Sequence, residues 1–373
     1  MNRSNKKIYL DIIAGARPNF MKIAPIIHAI HKYNETGENL LNYRLIHTGQ
    51  HYDKLMSESF FEQLEIPKPE INLGAGGGSQ AEQTAAIMIG YEKVLQSEKP
   101  DLCIVVGDVT STMACTIVAK KAGVKVAHVE GGIRSGDMDM PEEVNRIVTD
   151  SITDFFFTTT KSAGDNLIKQ GIKEDCIYFV GNTMIDSLLR NLSKLIQPEI
   201  YVKYNLEINS YLVLTLHRPS NVDNLEKLIH LLQIIDSHCE NKKVIFPIHP
   251  RTKKIFESVS HNLKNIFLSD PLPYLEFIYL IKNSAGIITD SGGITEEATV
   301  LKVPCITLRN TTERPETVTI GSNILAGTKP ENIIEYIRDM VNGKWKKGAI
   351  PELWDGKTAE RIIERISNDI KYN

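Results

Sequence analysis

A chain of 373 residues is longer than one hydrophobic core usually spans, so two domains are expected. Its composition, 42% hydrophobic and 24% charged, is that of a globular protein and excludes a disordered, collagen-like or disulfide-stapled chain. A formal net charge of −3 offers no global positive field to nucleic acid or an anionic membrane, so an anionic ligand would have to be held by local donors.

The N-terminus is polar and basic from Met1 to Lys7, and Ile8 to Ala14 follows as an apolar run. Asp11 interrupts that run and Arg17 closes it, so it reads as a first buried strand and not as a signal peptide. No apolar stretch reaches the roughly 20 residues of a membrane span. The five cysteines (Cys103, Cys115, Cys176, Cys239, Cys305) are scattered, with no C-x-x-C pair. That spacing argues against disulfides and a thiolate metal site and fits a reducing cytoplasm.

Strands are expected at Lys7–Ala14, Tyr43–His47, Leu102–Val106, Lys125–Val129 and Asp154–Thr158. Helical patterns lie between and after them at Phe20–Tyr33, Lys54–Leu64, Gln80–Gln96, Thr112–Lys121 and Glu142–Ser151. The alternation restarts after Gly181, with strands at Tyr211–Leu216, Lys243–Ile248, Gly286–Thr289 and Cys305–Leu308. Helices are expected at Asn224–His238, Arg251–Ser260, Tyr274–Lys282 and Thr295–Leu301, and a last one at Ala359–Ile370. Such alternation implies an α/β fold of two Rossmann-like, doubly wound domains with parallel sheets. The boundaries implied are 1–181 and 182–357, with Asn182–Leu195 starting the second domain or linking the two. Two such domains in tandem imply an interdomain cleft, with chemistry beyond the carboxyl ends of the strands. Gly74–Gly78 reads as a flexible loop, because no strand leads directly into it.

Polar residues do follow the strands. After the first come Arg17 and Lys22, beside a helix start where Pro18 fits and an anion is favoured; two solvated cations is the competing reading. After the third comes Gly107-Asp108, where Asp108 could equally cap a helix. After the fourth comes Glu130-Gly131-Gly132-Ile133-Arg134-Ser135, where Glu130 could simply pair with Arg134. Pro141-Glu142-Glu143-Val144-Asn145-Arg146 then opens a helix, where acidic residues are common without function. Three carboxylates at one sheet end are the kind of set that proton transfer requires. In the second half, strands run into His217-Arg218-Pro219 and His249-Pro250-Arg251, each a weak signal alone. The strongest local signal is Asp290-Ser291-Gly292-Gly293 between a strand and a helix: glycines admit a diphosphate to the backbone, and free N–H groups receive it. Glu297, one turn on, has room for both hydroxyls of a ribose. No Walker A or G-x-G-x-x-G pattern is present.

Together these segments resemble the non-hydrolysing UDP-N-acetylglucosamine 2-epimerase family, from Ala14-Gly15-Ala16-Arg17-Pro18 to Thr311-Thr312-Glu313-Arg314-Pro315-Glu316. The motifs that carry the resemblance include His128-Val129-Glu130-Gly131-Gly132-Ile133-Arg134-Ser135, Leu216-His217-Arg218 and Thr289 to Glu297. The resemblance implies a GT-B-like fold, a C-terminal helix (358–373) returning to the first domain, a homodimer, and neither metal nor organic cofactor. It implies interconversion of UDP-GlcNAc and UDP-ManNAc, in which UDP leaves to give bound 2-acetamidoglucal and then adds back. Asp108, Glu130 and Glu142 are then the catalytic carboxylates, with His217 assisting at the diphosphate. Arg17, Lys22, Arg146, Phe277, Ser291, Gly292, Gly293, Glu297 and Arg314 would bind the UDP-sugar, Phe277 against uracil.

Three stretches depart from the bacterial pattern: Arg17-Pro18-Asn19 replaces Arg-Pro-Glu, His217-Arg218-Pro219-Ser220 replaces His-Arg-Arg-Glu, and Gln50-His51-Tyr52-Asp53 stands where bacterial enzymes hold a second UDP-GlcNAc. An epimerase of a modified UDP-N-acetylhexosamine, a hydrolysing relative, a glycosyltransferase on the same fold and a silent UDP-sugar sensor are the alternatives; the carboxylate trio argues against the glycosyltransferase, and intact Asp108, Glu130, Glu142 and His217 against the sensor.

Overall fold

The computed structural model describes residues 7–38, 41–49, 58–248 and 263–369. The chain divides into two compact units, Met1–Leu189 with Glu352–Asn373, and Arg190–Pro351.

The first unit is built on seven parallel strands: β1 (Ile8–Ala14), β2 (Leu41–His47), β3 (Ile71–Asn72), β4 (Leu102–Val106), β5 (Lys125–Val129), β6 (Phe155–Thr158) and β7 (Ile177–Phe179). Their order across the sheet is β3-β2-β1-β4-β5-β6-β7. Strand β4 is apolar and wholly buried, as it must be when helices cover both faces of a sheet, and β5 is almost wholly buried with His128 among its apolar residues. Asp11, which breaks the apolar run of β1, is fully buried beside its register partner Arg44 on β2. The Arg44 guanidinium donates to both Asp11 carboxylate oxygens at 2.9 and 3.0 Å, and Tyr91 Oη donates to the second at 3.0 Å. A charge inside a strand is thus tolerated because its hydrogen bonds are complete.

The unit is finished by the far end of the chain. Trp354 is buried and its indole N–H donates to the Thr159 carbonyl at 3.2 Å. The helix Thr358–Asp369 packs on the helix Arg17–Tyr33. Its first turn donates Thr358 N–H and Ala359 N–H to the Asp186 carboxylate at 3.2 and 2.7 Å.

The second unit has six parallel strands: β8 (Tyr211–Thr215), β9 (Lys243–Pro247), β10 (Ile266–Ser269), β11 (Gly286–Thr289), β12 (Cys305–Thr307) and β13 (Asn323–Leu325). Their order, β10-β9-β8-β11-β12-β13, repeats the doubly wound pattern. Its core gathers Leu212, Leu214, Phe246, Ile288 and Ile306 from the strands with Leu228, Leu232 and Ile337 from the helices Leu225–His238 and Pro330–Val341.

In each sheet the strand order reverses once, between β1 and β4 and between β8 and β11. Those reversals open the crevices where ligands of such sheets bind. The expected helix Arg251–Ser260, the His249-Pro250-Arg251 turn and Gln50-His51-Tyr52-Asp53 lie outside the described residues. Among the described residues no helix is long and apolar enough to cross a membrane.

Candidate functional site

The expected site residues fall into two groups, one in each unit. In the first, the chain leaves β1 and enters its helix at Arg17, three residues before the expected start. The N-cap, Ala16, has no side chain to offer. Asn19 reaches back instead, accepting Gly15 N–H and Ala16 N–H at 3.2 and 2.8 Å. Its amide nitrogen donates to the Val106 carbonyl at the end of β4, at 3.1 Å. A carboxylate could accept those bonds but could not give the third, so the asparagine joins β1 to β4 in a way glutamate cannot. Arg17 is half-buried, its guanidinium 5.1 Å from the Phe60 ring centroid.

Each carboxylate of this group has its own cation or its own exposure. Lys22 Nζ donates to Glu130 at 2.7 Å, with both side chains largely buried. Glu130 is therefore not the partner of Arg134, which binds Asp150 at 2.7 Å. Glu130 also carries a backbone φ of 71°, a left-handed conformation that costs a non-glycine residue about 1 kcal/mol or more. Asp108 does not cap the following helix, whose N-cap is Val109. Its carboxylate instead receives Arg146 Nε and Nη2 at 3.1 and 2.5 Å, and Asn145 donates to its carbonyl at 2.8 Å.

The helix Pro141–Ile152 supplies those partners and is inverted in character: its buried residues, Glu143, Asn145, Arg146, Thr149 and Asp150, are all polar, while Val144 is exposed. Glu142 is exposed in its first turn. Glu143, the neighbouring carboxylate, is the buried one. It accepts Ser135 N–H and Gly136 N–H at 3.0 Å each and pairs with Arg146 at 2.6 Å. Burial alone would raise its pKa, but these donors hold it below the usual carboxylate range.

In the second unit the helix after β11 runs Gly292–Leu301, starting earlier than its apolar pattern suggested. Ser291 is the N-cap, without a side-chain capping bond, and Gly292 and Gly293 form the first turn, where helical N–H groups have no intrahelical acceptor. The two glycines differ. A β-carbon at Gly293 would meet nothing within 4 Å, whereas one at Gly292 would lie 2.4 Å from Glu313 Oε1. Glu313 is clamped by Arg309 at 2.6 Å; burial would raise its pKa, but Arg309 brings it down to about 2.

Asp290 is fully buried. It accepts His217 N–H at 3.1 Å, Arg218 N–H at 3.0 Å and the Asn221 amide at 3.0 Å. His217 Nδ1 lies 2.8 Å from Asp290 Oδ1, and the exposed ring therefore turns Nε2 outward. Burial pushes the Asp290 pKa up, but the His217 contacts and the N–H donors outweigh it and lower it. Glu297 is buried and accepts the Tyr274 hydroxyl at 2.9 Å; burial raises its pKa to about 7. Phe277 is half-buried one turn beyond Tyr274. Arg314 is buried and paired with Glu296 at 2.9 Å.

Asn19, Asn145, Asp150, Asn221 and Tyr274 escaped the sequence reading. The one usable signal was the polar residues at helical spacing from Glu143 to Asp150, where an amphipathic helix would place apolar ones.

Two doubly wound units, one with carboxylates and cations at its strand ends and the other with a helix start lacking a side-chain cap, define an α/β enzyme of the GT-B-like class. The chain belongs to the UDP-N-acetylglucosamine 2-epimerase family, whose sequence profile it matches over residues 34–367. It is 45% identical to the UDP-N-acetylglucosamine 2-epimerase of Methanocaldococcus jannaschii, over 97% of this chain and 100% of that one. The crystal structure of the Methanocaldococcus jannaschii UDP-GlcNAc 2-epimerase in complex with UDP-GlcNAc and UDP superimposes with a TM-score of 0.84 at 44% identity, covering 96% of this chain and 99% of that one. The UDP-2,3-diacetamido-2,3-dideoxy-D-glucuronate 2-epimerase of Pseudomonas aeruginosa is 37% identical over 95% of this chain and 98% of its own.

Proposed function

We propose that the protein inverts C2 of UDP-GlcNAc to give UDP-ManNAc, by eliminating UDP and adding it back. The C2 proton is barely acidic, so the C1–O bond must lead. It breaks with its electron pair going to the diphosphate, positive charge grows on the ring, and a carboxylate takes the C2 proton as the C1–C2 double bond of 2-acetamidoglucal forms. Return of UDP to C1, with a proton delivered to the opposite face of C2, completes the inversion.

The observation that carries this reading is the contrast between Asp108 and Glu130. They stand at the ends of adjacent strands, β4 and β5, and are held by different cations, Arg146 and Lys22. Two faces of one carbon require two proton carriers, and a pair of independently held carboxylates is such a set. Glu142, exposed at the head of the same helix as Arg146, is the third carboxylate of the proposal. Ser291, Gly292 and Gly293 offer backbone N–H groups to the diphosphate, Glu297 takes the ribose hydroxyls, and Phe277 packs on uracil. His217, oriented through Nδ1 by Asp290, presents Nε2 to the leaving oxygen. Arg17, Lys22, Arg146 and Arg314 add charge around the sugar diphosphate, the last three while paired with carboxylates.

The test is incubation with UDP-GlcNAc in deuterium oxide. Deuterium at C2 of both epimers without any acceptor is expected; an inert substrate would sink the proposal. UDP accumulating in step with free ManNAc would point to hydrolysis instead. The Pseudomonas aeruginosa relative favours a second reading, a UDP-sugar modified at C3 and C6. A panel of UDP-sugars followed by proton NMR separates the two.

A further inference from the structure

His128 and Asp150 lie beneath the proton-transfer residues and have no part in the chemistry above. Both side chains are completely buried, with Nδ1 of the ring 2.7 Å from Asp150 Oδ1. The other ring nitrogen, Nε2, lies 2.7 Å from the Gly107 carbonyl, one residue before Asp108. Asp150 Oδ2 in turn accepts Gly132 N–H at 3.1 Å, two residues after Glu130, and Arg134 at 2.7 Å. One bonded path therefore runs from the Gly107 carbonyl through the imidazole and the carboxylate to the Gly132 amide.

The chemistry of the path fixes its direction. A carbonyl oxygen only accepts, so Nε2 donates to Gly107. Asp150 Oδ2 takes Gly132 N–H and Arg134, which leaves Oδ1 to the ring. Burial would raise the Asp150 pKa, but His128 and Arg134 beside it lower it. The packing leaves the pair no slack: a β-carbon at Gly131 would sit 3.4 Å from both His128 Nδ1 and Asp150 Oδ1 and 3.1 Å from Phe156, and one at Gly132 would sit 2.2 Å from the Ala163 carbonyl oxygen. Gly107, Glu130 and Gly132 all carry positive φ, so the two turns have unusual backbone shapes that need support.

We propose that His128 and Asp150 are a positioning pair, which clamps the turn presenting Asp108 to the turn presenting Glu130 and so fixes both proton carriers. This rests on the epimerase reading, which gives those two carboxylates their task. Neither His128 nor Asp150 touches substrate; they act through backbone. Misplacement of a reacting group by about 1 Å can cost on the order of 10²-fold in rate.

His128→Asn keeps a donor toward Asp150 and drops the bond to Gly107, while Asp150→Ala removes the acceptor of Gly132 N–H and the partner of Nδ1. Each is expected to lower kcat about 10²-fold, with KM and the Kd for UDP within about threefold. The double variant should lose no more than about twofold beyond the worse single one, because the path is already cut. Additive losses, or kcat falling only in proportion to the folded fraction, would overturn the pair. Should the variants not fold, nitrogen-15 NMR of the wild-type imidazoles decides: a proton on Nε2 of His128, hydrogen-bonded to the Gly107 carbonyl, is expected, and a bare Nε2 overturns the proposal. If wild-type protein exchanges no C2 proton, the epimerase reading fails while the NMR result stands on its own.

Discussion

The two units share a strand order yet equip the crevice at its reversal in opposite ways. Between β1 and β4 the first unit gathers side-chain charge: Lys22 on Glu130, Arg146 on Asp108 and Glu143, and the His128–Asp150 path below. Between β8 and β11 the second unit has backbone amides at Gly292 and Gly293 without a side-chain cap, and holds Asp290 and Glu297 on neutral or histidine partners, with Arg309–Glu313 and Arg314–Glu296 as buried ion pairs around them. On the proposed reading, proton transfer needs charges whose positions do not drift, and ion pairs give that rigidity. Holding a nucleotide needs donors of fixed direction, and a helix start supplies them.

The comparison would be broken most severely at Glu130. Glu130→Gln should cut turnover by about 10²–10⁴-fold and leave the Kd for UDP unchanged within twofold, measured by steady-state kinetics and calorimetry. Full turnover in that variant would end the division of labour. Next in size is Glu297→Gln, which should weaken UDP by about 10–100-fold through loss of a charged acceptor.

The sign of the pH effect at Glu297 follows from its raised pKa. In the ligand-free protein the protonated form is favoured, so this group's stabilisation is complete below the unfolded value of 4.5 and is lost as pH rises through about 7. A rise of that size corresponds to ~3 kcal/mol. Ligand-free Glu297→Gln should therefore melt higher than wild type at pH 8 and nearly the same at pH 5. UDP binding should follow the opposite course in the wild type, weakening about tenfold per unit below pH 7, and be flat in the variant. A flat wild-type titration would show that Glu297 does not take the ribose.

Smaller effects sharpen the picture. Gly292→Ala should weaken UDP by about tenfold, since the new methyl displaces the carboxylate that Arg309 holds, while Gly293→Ala, with open space around it, should leave the ligand-free melting temperature unchanged. Tyr274→Phe should cost about 1 kcal/mol of stability above pH 7, where Glu297 is ionised and loses its donor, and little below pH 5. Chemical denaturation at the two pH values checks it.

Much of this was legible from the chain. Leu102–Val106, Lys125–Val129 and Gly286–Thr289 stand with the boundaries their patterns imply, because a strand buried on both faces is a short, mostly apolar run between polar punctuation; the helix Tyr274–Lys282 also stands with its expected bounds. The short edge strands β3, β7 and β13, each of two or three residues, carry no such run and were invisible. Helix starts were read late at Arg17, Thr110 and Gly292, since apolar spacing begins only after the first turn. Among the proposed site residues, Asp108 and Glu130 were picked out by their place after strands. Their partners were not: Arg146 reaches Asp108 across 38 residues, and Asp150 reaches His128 across 22. Such pairs are chosen by topology, and no local spacing encodes them.

The return of Thr358–Asp369 to the first helix has a consequence for biogenesis. A ribosome releases the second unit as one unbroken stretch, Arg190–Pro351, but the first is discontinuous, and its closing helix is made only after the whole of the second. Until then the flank of Arg17–Tyr33 lacks that cover and Asp186 lacks the amides it will receive. A nascent chain stalled shortly before Thr358 would hold the whole second unit beside an unfinished first one, exposed to chaperones and proteases until the helix Thr358–Asp369 arrives.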